Sequence, residues 1–332
     1  MGGQLERIMP NRSSFFRALP LCMAAAFSLS LAAFVRGEPA TKPAAAQQLG
    51  SEEVKFLRFT DDGHSGGRLE TAVVTYRNEA GATVRLVAAV HIGEKSYYEG
   101  LNDTFRADDA VLYEMVKPKD AGAPKPNAPS KSGIGQFQHF LKDSLNLDFQ
   151  LDDVDYGRPN FVHADLDAET FAKMQDERGE SMFTLMLRQM MDQMSRGSAV
   201  KGLETENVVD ELITMLCKPD SERQLKLLLA RHMGDMEKTA AGLDGPGGSV
   251  ILTERNKAAL KVLSDTLTQG KKHISVFYGA AHMASMSETL TKEMGFKPVG
   301  IEWRMAWDLA IRADRPSAIE QLLRDGLKAL DE

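Results

Sequence analysis

Cysteine is scarce in this sequence, which has two among 332 residues, Cys22 and Cys217. Cys22 lies in an N-terminal segment that we expect to be cleaved, so the mature chain would hold one thiol and form no intramolecular disulfide. Cys217 follows a helical pattern of apolar residues. This favours a packed core thiol over a catalytic nucleophile, since a reactive thiol needs an exposed, electropositive site. The fold is therefore expected to be stabilised by its hydrophobic core.

The sequence also lacks the basic runs with interleaved aromatic residues that bind nucleic acids. Its formal net charge of -7 at pH 7 argues against nonspecific binding to nucleic acid. No P-loop, GxGxxG or HExxH pattern occurs, which removes the commonest signatures of nucleotide-binding sites and zinc proteases. The hydrophobic content of 43% and charged content of 26% are those of an ordinary folded protein.

The N-terminal stretch has the features of a secretory signal peptide. An almost entirely apolar segment, residues 18–35, follows three arginines. Residues 1–37 are therefore predicted to direct export to the periplasm or the extracellular space, and residues 38–50 to form a disordered linker. Alternatively, the apolar segment is retained as a membrane anchor, because its length is close to the minimum that spans a bilayer. Otherwise the mature chain is expected to have no membrane span. The basic residues are Arg7, Arg12 and Arg17.

Residues 51–332 are predicted to form one domain, and two apolar runs near its start indicate an α/β fold. Residues 86–90 are small and branched apolar residues, typical of a strand buried on both faces, and His91 ends the run. Residues 110–116 form a second run, with Glu114 inside it. The amphipathic helical pattern between them completes a βαβ unit, which places both side chains at the carboxyl edge of the sheet. Because a hairpin precedes the first run, we expect a central mixed β-sheet flanked by helices.

A second βαβ unit is predicted late in the chain. A strand at residues 273–278 is followed by Gly279, which permits a sharp strand-to-helix turn, and by a helix at residues 285–294. Thr253 is predicted to cap the helix before this strand. His282 falls in the turn, so we expect it to converge with the two side chains of the first unit.

Between the two units the chain changes character. Residues 118–135 are rich in proline, lysine and glycine and predict a flexible loop. Residues 168–241 predict a helical insertion that opens with a long helix over residues 168–195. Its methionines recur at helical spacing, which is typical of a packing face. A soft-metal site or an adaptable peptide-binding groove is the alternative.

A short strand is predicted at residues 149–154, and a strand-like stretch after it carries two potential metal ligands. His163 and Asp165 are two residues apart, so on a strand they would share a face and could bind one ion. Asp165 or Asp167 is more typically the N-cap of the helix that begins near residue 168.

Four short motifs together resemble the signature of the TraB/GumN/TIKI family of extracytoplasmic proteins. That signature has a GxxH at the end of an early strand, a glutamate at the end of the next strand, an Arg-Asn pair opening a late helix, and a second GxxH. The resemblance covers residues 71–116 and 252–300, and Ala88 stands where the first motif has glycine. The corresponding residues are Ala88-Ala89-Val90-His91, Tyr113-Glu114, Glu254-Arg255-Asn256 and Gly279-Ala280-Ala281-His282.

The resemblance implies a central β-sheet flanked by helices and, from the best-studied branch, a divalent-metal-dependent peptidase acting on a peptide or protein. His91, Glu114 and His282 would hold Zn, Mn or Co with positions left open for water. The metal would lower the pKa of that water and polarise the scissile carbonyl. Glu114 is either a ligand or the general base. Arg255 would stabilise the oxyanion or bind a substrate carboxylate; alternatively, it is only the structural partner of Glu114. Tyr278 would donate a hydrogen bond to the intermediate.

Two further functions fit the same residues. One is a noncatalytic protein that sequesters a peptide or another ligand in the same cleft. The other is a different metal-dependent hydrolysis, for example of an ester. The two enzymes require an open metal position, whereas the binding protein does not.

Overall fold

The computed structural model describes residues 54–63, 66–124, 145, 147–180, 221–234 and 247–310. All of them belong to one compact unit, Pro43–Gln321, whereas a second unit, Met1–Lys42 with Leu322–Glu332, lies outside the described residues. Also outside lie the predicted signal peptide, most of the predicted loop, the later part of the methionine-rich stretch, and Cys217. Within the described part of the chain, no helix is long and apolar enough to cross a membrane.

The described chain alternates strands and helices, as the sequence predicts. In chain order the elements are β1 (Leu57–Asp61), β2 (Gly67–Arg77), β3 (Thr83–Ala89), β4 (Ile92–Gly93), α1 (Lys95–Arg106), β5 (Ala110–Tyr113), β6 (Asp148–Phe149), α2 (Gln150–Asp153), β7 (Phe161–His163), α3 (Ala168–Arg178), α4 (Ser221–Gly234), a π-helical turn (Val250–Glu254), α5 (Arg255–Thr268), β8 (His273–Gly279), α6 (Ala280–Lys292) and β9 (Lys297–Asp308).

Seven strands form one mixed sheet, which confirms the predicted fold class. Strands β3, β8, β5 and β7 lie side by side and parallel, in that order. Strand β2 pairs antiparallel with β1, β3 and β9. Strands β4 and β6 form a separate two-stranded ribbon, with Ile92 opposite Phe149. The carboxyl ends of β3, β5 and β8 therefore lie next to one another.

Strand β3 leaves the sheet at Ala89 because another strand takes its place beside β2. Strand β3 pairs with β2 as far as Val73, opposite Val87. At Ala72, the residue of β2 before Val73, the N–H donates to the Phe56 carbonyl at 2.9 Å. From Leu57 onward, β1 pairs with the earlier part of β2. The chain after Ala89 thus turns away from the sheet, and His91 comes directly after this point.

Helix α1 secures the end of β3. Its apolar face is buried, as its amphipathic pattern predicts, and two tyrosines on that face reach the strand end. The Tyr97 hydroxyl donates to the Ala88 carbonyl at 3.1 Å, and the Tyr98 hydroxyl donates to the Val90 carbonyl at 3.0 Å. These bonds pair buried carbonyl groups where the strand stops, and so fix the backbone just before His91.

Two of the predicted helix boundaries were wrong for local reasons. The helix predicted over residues 168–195 ends at Arg178, because Gly179 adopts a left-handed conformation with φ of 60° and its N–H caps the helix. Thr253 does not cap α5. Ser249 caps the π-helical turn instead, its side chain accepting from the Leu252 N–H, and that turn runs directly into α5.

Two other elements also differ from the prediction. Of the strand predicted at residues 149–154, only Phe149 belongs to a strand, and Gln150–Asp153 form the helical turn α2. Helix α6 begins at Ala280 rather than near residue 285, so His282 lies in its first turn. The predicted turn is therefore the single residue Gly279, and His282 is placed by a helix.

The segment between β1 and β2 reads GxSxG at residues 63–67, the pattern of a nucleophile elbow. That elbow requires a strand followed by a helix. Here Asp61 pairs with Gly67 and the segment joins two antiparallel strands. The context does not match a serine hydrolase.

Candidate functional site

The structure brings Glu114, Arg255 and His282 together at the carboxyl edge of the sheet. Glu114 is the residue after β5, and its N–H donates to the Phe277 carbonyl of β8 at 3.1 Å. Arg255 begins α5, and His282 lies in the first turn of α6, directly after β8. Three separate segments thus deliver one carboxylate, one guanidinium and one imidazole to the same place.

Both oxygens of Glu114 are bound by these segments. Oε1 accepts from Arg255 Nη2 at 2.7 Å and lies 3.5 Å from His282 Nε2. Oε2 accepts from the Gly279 N–H at 2.6 Å. Burial by itself raises the pKa of Glu114. The hydrogen bond and charge of His282 oppose burial, Arg255 and His91 add to them, and the pKa of this carboxyl lies below its ordinary range.

The backbone of Gly279 lies directly against the Glu114 carboxylate. Its φ of -54° is accessible to any residue, so the sharp turn that the sequence suggested is not the reason for a glycine here. A Cβ at this position would lie 3.3 Å from Glu114 Oε2 and 3.9 Å from His282 Cδ2. Because glycine has no side chain, Glu114 Oε2 approaches the Gly279 N–H without this contact.

Arg255 is bound on two sides by carboxylates. Its Nε and Nη2 donate to the two oxygens of Asp165 at 2.9 and 2.6 Å, while Nη2 also donates to Glu114. Burial lowers the pKa of Arg255, but the Asp165 hydrogen bonds and the Glu114 charge more than offset it and raise that pKa. The guanidinium is a permanent charge that fixes Glu114 in place.

Asp165 is the member of the cluster whose role sequence reasoning missed. Its side chain is fully buried against Arg255. The helix cap is Asp167 instead, which accepts from the Thr170 N–H at 2.9 Å. His163 does not join Asp165, because its Nε2 donates to the Met115 carbonyl at 2.6 Å. The available signal was the position of Asp165 just beyond β7, the neighbour of β5.

His282 is oriented by the side-chain amide of Asn256. Its Nδ1 lies 2.7 Å from Asn256 Oδ1, and Asn256 Nδ2 donates to the His282 carbonyl at 3.5 Å. The Tyr278 ring packs edge-on against the imidazole, with 5.2 Å between centroids. His282 is 4% exposed, so its Nε2 is held facing Glu114 in a nearly dry environment.

Tyr278 is placed beside the cluster, but its hydroxyl is directed into the protein. The hydroxyl donates to the Ala164 carbonyl, and the residue is fully buried. Burial raises the pKa of Tyr278, and the negative charges of Asp165 and Glu114 raise it further. In this arrangement the ring supports His282 while the hydroxyl fixes the backbone next to Asp165.

His91 lies at the rim of the cluster and is exposed. Its Nδ1 is 3.3 Å from Gln150 Oε1, and its carbonyl accepts from the Gln150 N–H at 3.0 Å. After His282 and Arg255, it contributes to lowering the pKa of Glu114. Among the described residues, the ion-pair partners of Glu114 within 4 Å are Arg255 and His282, so His91 stands further away.

The described residues do not assemble a three-ligand metal centre. Within the described ranges, no group of three or more His, Cys, Asp or Glu side chains is arranged to hold an ion. The closest approach to one is Glu114 Oε1 with His282 Nε2. Ala88, where the family motif has glycine, lies fully buried in β3 opposite Tyr278, and a regular strand accommodates its methyl group.

The charge of the cluster is unbalanced within the described part of the chain. There, two carboxylates, Glu114 and Asp165, form ion pairs with one guanidinium, that of Arg255. If the Nδ1 hydrogen of His282 is used on Asn256, an unprotonated Nε2 would point a lone pair at a carboxylate oxygen 3.5 Å away. Such an arrangement is favourable only with a positive charge between the two atoms, either a proton on Nε2 or a bound cation.

Comparison of the chain with protein-family models, curated proteins and solved structures finds no match. The likeness to the TraB/GumN/TIKI family therefore remains a prediction from the four sequence motifs.

Substituting Gly279→Ala tests the close approach of Glu114. The added methyl would press on a carboxylate that Arg255 holds in place, and overpacking of this kind costs about 1–3 kcal/mol of unfolding free energy. Gly122→Ala is the matched control, because a Cβ there meets nothing within 4 Å. Urea unfolding of both variants measures the effect. Equal stability of the two variants would contradict the contact.

Substituting Glu114→Gln tests the charge of the cluster through its pH dependence. Because the folded-state pKa lies below the ordinary 4.5, ionised Glu114 contributes stability that is fully present above this pH and is lost as the pH falls below it. The variant should lose about 1–3 kcal/mol of unfolding free energy at pH 7, and the difference from the wild type should shrink below pH 4.5.

Urea unfolding at a series of pH values from 7 to 3 measures this difference. Glu288→Gln is the control, because Glu288 forms an exposed ion pair with Lys292 on α6, and such pairs contribute about 0.2–1 kcal/mol. A Glu114→Gln difference that stays constant across the series would show that the carboxyl is not the titrating group.

Proposed function

We propose that this chain is an exported hydrolase that cleaves peptides, with its site at the carboxyl ends of β3, β5 and β8. The observation that carries the proposal is the buried pair of Glu114 Oε1 and His282 Nε2, 3.5 Å apart, at the sheet edge where the exposed His91 follows β3. A buried carboxylate of lowered pKa paired with an imidazole is a feature of catalytic sites. Export follows from the predicted signal peptide.

In the proposed reaction, Glu114 provides a fixed negative charge, and His91 and His282 transfer protons. Because its pKa is lowered, Glu114 is ionised at neutral pH but only weakly basic, so we assign it the role of a fixed negative charge and not that of the general base. His282 Nε2, facing that charge, carries the proton that goes to the leaving nitrogen. His91 contacts Gln150 through Nδ1, which leaves Nε2 to take a proton from the attacking water.

The reaction balances with these groups alone. The water oxygen adds to the scissile carbonyl carbon while its proton passes to His91 Nε2. The C–N bond then breaks as His282 Nε2–H protonates the leaving amine. The two imidazoles exchange the proton with solvent to restore the starting state. Arg255, bound to both carboxylates, positions Glu114 rather than contacting the substrate.

A divalent metal ion is part of the prediction from the family resemblance. The donor atoms closest to forming a site are Glu114 Oε1 and His282 Nε2, and a third ligand is not in place among the described residues. No step is therefore assigned to a metal. A bound ion would supply Lewis-acid polarisation and an activated water, and would also satisfy the missing positive charge of the cluster.

A second candidate is a noncatalytic protein that sequesters a peptide or another ligand in the same cleft. The observation that favours it is that two expected transition-state donors are already used inside the protein. Arg255 donates to Asp165 and Glu114, and the Tyr278 hydroxyl donates to Ala164. A site with its donors satisfied in this way can bind a ligand without stabilising an oxyanion.

Substituting His282→Gln tests the hydrolase against the binding protein. A mixed library of unblocked peptides is incubated with the mature chain, and cleavage is followed by mass spectrometry. Loss of the general acid should lower kcat/KM by about 10²–10⁴-fold. His273→Gln is the matched control. His273 lies exposed at the opposite end of β8, so this substitution should leave the rate unchanged.

Peptide binding without turnover by the wild type would favour the sequestering protein, and turnover of esters alone would favour the third function.

The metal content of the same protein, purified without chelators, tests whether a divalent metal ion is its cofactor. About one divalent ion per chain, lost in a His91→Ala, His282→Ala double variant, together with a higher melting temperature in added Mn²⁺, Co²⁺ or Zn²⁺, would establish a metal site. Turnover that persists in excess chelator, with no bound ion, would assign the missing positive charge to a proton on His282.

A further inference from the structure

We propose that Gln150 is the positioning residue of His91, and that it holds this imidazole in the Nδ1–H tautomer with Nε2 directed at the reaction. As a statement about catalysis the inference rests on the proposed function, whereas the tautomer itself does not.

Gln150 contacts His91 through both the backbone and the side chain of Gln150. Its N–H donates to the His91 carbonyl at 3.0 Å, and its Oε1 lies 3.3 Å from His91 Nδ1. The β4–β6 ribbon creates this contact, because the antiparallel pairing of Ile92 with Phe149 places His91, just before Ile92, beside Gln150, just after Phe149. Since an amide oxygen only accepts, the hydrogen between the two side chains belongs to Nδ1.

The amide of Gln150 is fixed by Tyr156. Gln150 Nε2 donates to the Tyr156 hydroxyl at 2.7 Å, which turns Oε1 towards the imidazole. Gln150 is 6% exposed and Tyr156 is 4% exposed. The Tyr156 ring packs edge-on against Tyr113 and Phe161, with centroids 5.2 and 5.6 Å away. The hydrogen-bond chain from His91 therefore ends in a tightly packed aromatic cluster.

His282 shows the same arrangement. Asn256 Oδ1 faces His282 Nδ1 at 2.7 Å, and the amide nitrogen is occupied by the His282 carbonyl. Two imidazoles of one site are thus both bound at Nδ1 by a side-chain amide. In each, the second nitrogen is the one left for chemistry.

Amides suit this position because they do not ionise. A carboxylate next to His91 would add a third negative charge to a cluster in which Glu114 and Asp165 already exceed Arg255. Among the described residues, the charged and titratable groups that interact within this cluster include Glu114 from the end of β5, Arg255 from α5, Asp165 from the end of β7, Tyr278 from β8 and Tyr156 after α2. Gln150 orients the base without changing this balance.

The test measures the tautomer and the rate separately. Nitrogen chemical shifts of the histidine side chains in the full chain should show His91 as the Nδ1–H tautomer above its titration. Gln150→Leu removes the acceptor and should shift His91 towards the Nε2–H tautomer. Tyr156→Phe keeps the aromatic packing, frees the amide and should have the same effect in weaker form, so the test does not depend on one variant folding.

Kinetics add a second readout. Loss of an orienting partner typically costs 10–100-fold in activity, so Gln150→Leu should lower kcat by about that factor with little change in KM. Gln150→Glu keeps an acceptor oxygen for Nδ1 and should restore part of the lost kcat. Gln269→Leu is the control, since Gln269 is exposed at the C-terminal end of α5, away from the site.

The outcomes separate the two proposals. His91 in the Nε2–H tautomer in the wild type, or an unchanged tautomer in Gln150→Leu, overturns the positioning role even if the protein hydrolyses peptides. An Nδ1–H tautomer that depends on Gln150, in a protein without turnover, keeps the positioning role and removes the hydrolase.

Discussion

The ion pairs of Arg255 are the interaction on which the rest of the site depends. One guanidinium joins the start of α5 to the ends of β5 and β7 through Glu114 and Asp165, and Glu114 extends the connection to the start of α6 through the Gly279 N–H. Removing Arg255 would leave two buried carboxylates without this partner, which costs about 3–5 kcal/mol. The cluster therefore fixes four segments relative to one another, and among the described residues its two carboxylates share one guanidinium.

A constraint of the sheet places His91 at the rim of this cluster. Strands β3 and β1 pair with successive stretches of β2, so β3 must leave the sheet at Ala89. The tyrosine hydroxyls of α1 bond the carbonyls around the strand end, and the β4–β6 ribbon then brings Gln150 to the imidazole. The change of strand pairing at the end of β3 thus leaves an exposed imidazole at the sheet edge that also carries His282 and Glu114.

Much of the fold could be predicted from the sequence because its signals are local. The runs that became β3, β5 and β8 are continuous apolar segments, and α1 has a clear helical period, so their positions and the mixed sheet followed directly. The boundaries that were wrong depended on single residues in context: Gly179 stops a helix through its left-handed backbone, and Ser249, rather than Thr253, caps the segment that leads into α5. Residues such as these suit several local structures, and packing selects one.

By itself the sequence determined that His91, Glu114 and His282 stand at strand ends and that a buried carboxylate such as Glu114 needs a partner. Only the tertiary structure decided the partners. Asp165 lies 90 residues from Arg255 in the chain and Gln150 lies 59 residues from His91, so no periodicity or spacing links them. The tertiary structure also showed that a side chain at Gly279 would press on Glu114, whereas the backbone conformation of Gly279 is open to any residue. Hydrogen bonds and ion pairs act over a few ångströms, and which side chains come that close is set by how the strands pair.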